Sequence, residues 1–145
     1  MLCTLPGEES LRRQQYYAHP RNLFWPIVFA LFDRMPPADY GERVRFLIER
    51  GIALWDVCAE GERVASADST IRAEIPNAIE PLLDAHPGIR AVAFNGSGAR
   101  RLYLRHFTPR PGLRYLALPS TSPAHARLAF GDKLARWQAL REVLE

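Results

Sequence analysis

The chain has little cysteine and almost no lysine: Cys3, Cys58 and the single Lys133 among 145 residues. Two thiols so far apart cannot build a four-thiolate iron–sulfur or zinc site, and no His/Cys spacing supplies one, so no metal is expected. No apolar run approaches the roughly 20 residues that span a bilayer, so no membrane partner is expected. The segment Met1-Leu2-Cys3-Thr4-Leu5-Pro6-Gly7 lacks the basic region and long apolar stretch of a secretory leader, which points to a reduced, cytoplasmic setting. The usual nucleophilic machinery is missing as well. There is no G-x-S-x-G elbow, no Cys/His pair at plausible spacing and no Walker-type G-K-[ST].

What is present is a globular composition, 48% hydrophobic and 24% charged, at a length that suits one domain over residues 1–145. Nineteen basic against sixteen acidic residues give a net charge of +3, with a pI near 9.2. That balance permits contact with nucleic acid without requiring it. Nearly all the positive charge is arginine. Its planar fork suits phosphates, but a GC-rich genome produces the same bias.

Apolar spacing alternates between strand and helix. Residues 2–5 form a short apolar run that stops at Pro6-Gly7, as a strand entering a turn does. Phe24, Ile27, Val28, Leu31 and Phe32 recur at helical spacing, placing Pro26 in the first turn, where its missing N–H costs least. Asp39 and Glu42 have the spacing of a capping box; Val44, Leu47 and Ile48 make the stripe behind it, and Gly51 is the expected left-handed stop. Residues 52–57 read as a buried strand, 60–74 as a polar surface loop, and Ile79, Leu82 and Leu83 as a short helix. Residues 89–94 form the next strand, leading into Asn95-Gly96-Ser97-Gly98. A helix carrying Arg100, Arg101 and Arg105 follows, then a strand over 115–118 and a last helix with Phe130, Leu134, Trp137, Leu140 and Leu144 on its apolar stripe. The alternation predicts parallel crossovers and a sheet covered on both faces.

In such a sheet the functional groups collect beyond the carboxyl ends of the strands. Here those ends carry Pro6-Gly7, Asp56, Asn95-Gly96 and the segment 120–122. Asn95-Gly96-Ser97-Gly98 has the composition of a phosphate-cradling nest and equally of a tight strand-to-helix turn. Amides, hydroxyls, one carboxylate and nearby histidines can position water and read a polar ring edge. They do not readily form a covalent intermediate.

Two longer stretches carry a specific resemblance. Leu5-Pro6-Gly7 with Tyr16-Tyr17-Ala18-His19-Pro20-Arg21-Asn22-Leu23-Phe24-Trp25 resembles the first motif region of the uracil-DNA glycosylase superfamily. Leu118-Pro119-Ser120-Thr121-Ser122-Pro123-Ala124-His125-Ala126 resembles its second motif, a Pro-Ser loop that wedges into DNA. Gly51-Ile52-Ala53-Leu54-Trp55-Asp56 and Ala91-Val92-Ala93-Phe94-Asn95-Gly96 are similar to its intervening strands, the first ending in a base-reading Asn or Asp. The two longer motifs are closest to the hypoxanthine-DNA glycosylases. Leu5 stands where the mismatch-specific branch has a water-positioning Asn, and Leu118 where other branches have a His or Asn that steadies the leaving base. Both departures are usual in the hypoxanthine branch, and the resemblance shifts water positioning to Asn22.

The resemblance implies a three-layer α/β/α sandwich around a short, mainly parallel four-stranded sheet. It also implies a monofunctional glycosylase that hydrolyses the bond to a flipped deaminated base, hypoxanthine first and uracil second, with no cofactor. The partner would be double-stranded DNA containing such a base, and the enzyme a monomer associated with the nucleoid. Asn22 is then catalytic or a helix cap; Asp56 reads the base N–H groups or pairs with an arginine; Asn95 binds substrate or only shapes a turn. Pro6, Gly7, Tyr17 and His19 complete the substrate set, with Tyr17 either stacking on the base or filling core. Ser120, Thr121, Ser122, Pro123 and His125 form the DNA-binding set. Arg100, Arg101 and Arg105 are a solvated face or phosphate contacts. Three other readings stay open: a uracil- or mismatch-preferring glycosylase of the same fold, a catalytically inactive damaged-DNA binder, and a flavodoxin-like nucleotide module resting on residues 95–98.

Overall fold

A computed structural model describes residues 1–62 and 72–145. Its main sheet has four parallel strands in the order β2-β1-β5-β6: β1 (Leu2–Cys3), β2 (Trp55–Asp56), β5 (Ala91–Asn95) and β6 (Arg114–Leu118). Alternation along β5 explains the two buried faces. Val92 and Phe94 pack with α4 (Ile79–Ala85) and α5 (Ser97–His106), whereas Ala93 packs with α2 (Phe24–Ala30), α3 (Tyr40–Glu49) and α6 (Phe130–Leu144). The result is the three-layer α/β/α arrangement.

Local signals account for both ends of α3 and for the start of α2. Asp39 accepts a hydrogen bond from the Glu42 N–H at 2.8 Å, and Gly51 adopts φ +68° after α3. Pro26 lies in the first turn of α2, whose Phe24, Ile27 and Val28 are fully buried.

The structure corrects four expectations. The first two strands are only two residues long, short of the stretches 2–5 and 52–57 expected: β1 pairs with β2 at two positions and with β5 at one. The stretch 60–74 is not simply a loop. Its arms pair as an antiparallel hairpin, β3 (Cys58–Glu62) with β4 (Arg72–Pro76), in a register broken by two irregularities, which is why no clean alternation marked it. Residues 63–71 of that stretch lie outside the described residues. Ile48 is 70% exposed, since the buried face of α3 is rotated onto Phe46 and Leu47. Finally, a short helix α1 (Glu8–Arg13) follows the first turn. It buries no side chain, so it has no apolar stripe to announce it; Glu8 and Glu9 in its first turn and Arg12 and Arg13 in its last suit the helix dipole.

Candidate active site

The strand order reverses between β1 and β5, the position at which an open α/β sheet leaves a crevice beyond its strand ends. A cavity of about 880 Å³ occupies that place. It is bordered by Pro6 and Gly7 after β1, Asp56 at the end of β2, Asn95 at the end of β5, and the loop after β6. All twelve residues singled out from the sequence border this one cavity, including Tyr17, His19 and Asn22 from the segment before α2.

The Tyr16-to-Asn22 segment is held in a compact set of turns. Tyr17 adopts φ +56°, a left-handed conformation that a tyrosine keeps only when its surroundings enforce it. Its ring stacks on Phe24 at 3.9 Å between centroids, and its hydroxyl lies 2.6 Å from Cys3 Sγ. Burial, more than the neighbouring thiol, pushes the Tyr17 phenol well above its ordinary range. The Trp25 indole N–H donates to Tyr16 O at 3.1 Å, and the Tyr16 N–H donates to the Tyr40 hydroxyl at 3.0 Å.

His19 Nδ1 accepts the Arg21 N–H at 3.1 Å, so in the neutral ring the proton resides on Nε2. The Asn22 N–H donates to His19 O, and Asn22 Oδ1 accepts the Phe24 N–H at 2.9 Å. Asn22 therefore closes an Asx turn onto the first N–H of α2, one residue ahead of the N-cap Leu23. That bond also fixes which end of its amide is oxygen, and a second lone pair of the same oxygen is left over for a small donor.

At the far wall, Asp56 is 8% exposed, and the Tyr16 hydroxyl donates to its Oδ2 at 3.1 Å. Burial and the Asp56 charge both raise the Tyr16 pKa, so the hydroxyl stays a donor. Asn95 turns toward the loop after β6. Its Nδ2 donates to Thr121 Oγ1 at 2.8 Å and its Oδ1 accepts the Thr121 N–H at 3.0 Å, both buried. Thr121 O in turn accepts the Leu23 N–H at 3.0 Å, which ties the start of α2 to the same loop. Gly96, at φ +97°, passes so close that a Cβ there would meet Ser120 Cβ at 2.9 Å. Ser120 Oγ and Ser122 Oγ accept the N–H groups of Ser122 and Ala124, forming two successive hydroxyl turns that end in the short 3-10 helix Pro123–His125.

The family model described as Uracil DNA glycosylase superfamily matches residues 2–142 of this chain. The chain belongs to the uracil-DNA glycosylase superfamily. Enzymes of this superfamily hydrolyse N-glycosidic bonds. The chain is similar to a Methanosarcina acetivorans protein named hypoxanthine DNA glycosylase, 34% identical over 143 residues, covering 97% of this chain and 87% of the relative. A Methanosarcina barkeri protein of the same name is 36% identical over 97 residues, covering 66% of this chain and 61% of the relative. An NMR solution structure of a candidate uracil DNA glycosylase from Methanosarcina acetivorans matches with a TM-score of 0.80 at 33% identity, over 99% of this chain and 88% of that one.

This glycosylase-superfamily site offers an amide, a carboxylate, an imidazole donor and a helix start around a space large enough for a nucleoside. Among the described residues no cluster of His, Cys, Asp and Glu could hold a metal ion, and no helix is long and apolar enough to cross a membrane. Sequence reasoning missed Tyr16 as the partner of Asp56. Only its place beside Tyr17 in the first motif could have suggested it. Of the three arginines on α5, Arg101 borders the cavity, and Arg105 pairs with Glu74 of the hairpin.

Proposed function

We propose that this superfamily member is a monofunctional DNA glycosylase of base-excision repair that removes hypoxanthine first and uracil second from duplex DNA. The observation that carries the reading is Asn22. Its side-chain oxygen is oriented by the Phe24 N–H and borders the same cavity as Asp56. The names of the two Methanosarcina relatives support hypoxanthine as the preferred base.

Breaking an N-glycosidic bond passes through an oxocarbenium-like sugar and a departing base that turns negative. In so dissociative a reaction the water needs placing more than deprotonating. Asn22 Oδ1 would accept a hydrogen bond from the water and aim its oxygen lone pair at the anomeric carbon; as the new C–O bond forms, the proton the water sheds goes to the departed base anion or to solvent. Asp56 would accept the ring N–H that hypoxanthine and uracil both carry. The Tyr16 hydroxyl shares the carboxylate charge, which lessens its repulsion of the departing anion. His19 Nε2–H and the first N–H groups of α5, near Ser97 and Gly98, are the donors available to that anion. The base must leave the stack to reach these groups, with Tyr17 as its stacking face and the loop of Ser120, Thr121, Ser122, Pro123 and His125 against the duplex.

Strand cleavage after alkali on duplexes with one deoxyinosine or one deoxyuridine tests this reading, with gel-shift binding on the same DNA. The expected result is cleavage at deoxyinosine first, reduced on the order of 100-fold in Asn22→Ala with binding kept. Lesion binding without cleavage of either base by the folded protein would transfer the assignment to a damaged-DNA binder.

A further inference from the structure

The only lysine of this arginine-rich chain is not on the surface. Lys133, in the first turn of α6, is 2% exposed, and its Nζ donates to His125 O at 2.8 Å. One helical turn on, Trp137 is fully buried and its indole N–H donates to Pro119 O at 2.9 Å. Residues four apart share a helix face, so α6 presents two donors side by side. They take the carbonyls at the two ends of the 119–125 loop. The middle is held separately, through Thr121 by Asn95 and Leu23, while Ala124 and His125 stay exposed.

Packing alone does not explain Lys133. A leucine or methionine would fill the same volume without the cost of burying an ammonium, and Lys133 makes no ion pair among the described residues. Desolvation lowers its pKa, the signature of a charge kept where burial opposes it. What the ammonium provides is a strong donor at the C-terminal end of the 3-10 turn, where carbonyls would otherwise lack partners.

We propose that Lys133 and Trp137 form a two-point clamp that positions the 119–125 loop for extruding a base from duplex DNA. This rests on the glycosylase reading above, in which that loop meets the duplex. A loop that must displace a stacked base works only if it does not yield, whereas a lesion in a single strand needs no such push. Both are positioning residues, since neither borders the cavity.

The test compares wild type, Lys133→Met, Lys133→Gln and Trp137→Phe on deoxyinosine in duplex and in single-stranded DNA. Amide hydrogen exchange of the free proteins is followed alongside. The clamp predicts that Lys133→Met and Trp137→Phe lose about tenfold on duplex and less than about twofold on single strands. Exchange should quicken at residues 119–126 alone, and Lys133→Gln, which keeps a neutral donor, should recover part of the loss. Parallel losses on both substrates, or loop exchange equal to wild type in a folded variant, would overturn the clamp. If wild type cuts neither substrate, the glycosylase reading fails while the exchange still decides the clamp. If it cuts only duplex, or if one variant does not fold, exchange in the remaining variants decides it.

Discussion

Asn95 and Thr121 hold each other by two buried hydrogen bonds, so the end of β5 and the loop after β6 meet at one side-chain amide. The sequence left Asn95 open between substrate and turn; the geometry gives its amide a structural engagement at the edge of the cavity. Asn95→Ala leaves a buried N–H and a buried hydroxyl unsatisfied and should cost about 2–4 kcal/mol of stability. Urea denaturation monitored by fluorescence measures it, and Thr121→Val should lose less, because only the hydroxyl half of the pair goes.

Asn22 performs two tasks that a pair of substitutions separates. Asn22→Ala removes the hydrogen bond to the Phe24 N–H, worth about 1 kcal/mol, and should reduce base excision on the order of 100-fold. Asn22→Asp keeps an oxygen for both the helix and the water, so it should retain stability and more activity than alanine. Single-turnover cleavage of a deoxyinosine duplex, with melting curves of the same samples, distinguishes the two. Equal activity of the aspartate and alanine forms would remove Asn22 from the proposed water site.

Gly96 has no room for a methyl group. At φ +97° and 2.9 Å from Ser120 Cβ, Gly96→Ala combines backbone strain with displacement of the loop, costing about 1–3 kcal/mol. Weaker binding to lesion duplex by gel shift should accompany the lower unfolding midpoint. Gly51→Ala, equally left-handed but with open space around it, should affect stability alone.

Alkaline pH should destabilise the fold from about pH 9 upward. Burial pushes the Cys58 thiol up to about 11 from an ordinary value of 9.0, and raises the Tyr16 and Tyr17 phenols above 10.0. A group whose folded pKa is raised contributes stability that is complete below the unfolded value and disappears as pH rises through the folded one. Urea midpoints taken from about pH 8 to 11 should therefore fall, and less steeply in Cys58→Ala. Native Cys58 should also resist iodoacetamide at pH 8 until the protein is unfolded.

Much of this site is legible in the sequence because it is built from contiguous motifs. Leu5-Pro6-Gly7, His19 to Phe24 and Leu118 to Ser122 each sit at a strand end or a helix start, where local chemistry dictates the turn. Asp39 and Gly51 mark their helix ends for the same reason. Tyr16 and Lys133 were not legible. Their roles arise from partners 40 and 8 residues away, across the fold, and neither residue type announces a hydrogen bond. The β3–β4 hairpin was hidden by its irregular register, and α1 by its lack of any buried face.

The unequal strands have a consequence for how the molecule assembles. β5, α5 and β6 are contiguous in the chain and joined by five residue pairs, a local unit that closes short loops. β1 touches β5 through one residue pair and β2 through two, both across long separations in sequence. Nucleation is therefore expected in the C-terminal half, with the β1–β2 half condensing onto it afterwards, an order that φ-value analysis of β5 and β1 substitutions checks. Asp56 and the Pro6-Gly7 turn arrive with that later half. A partly folded chain would hold its loop after β6 in place while still having no pocket to receive a base.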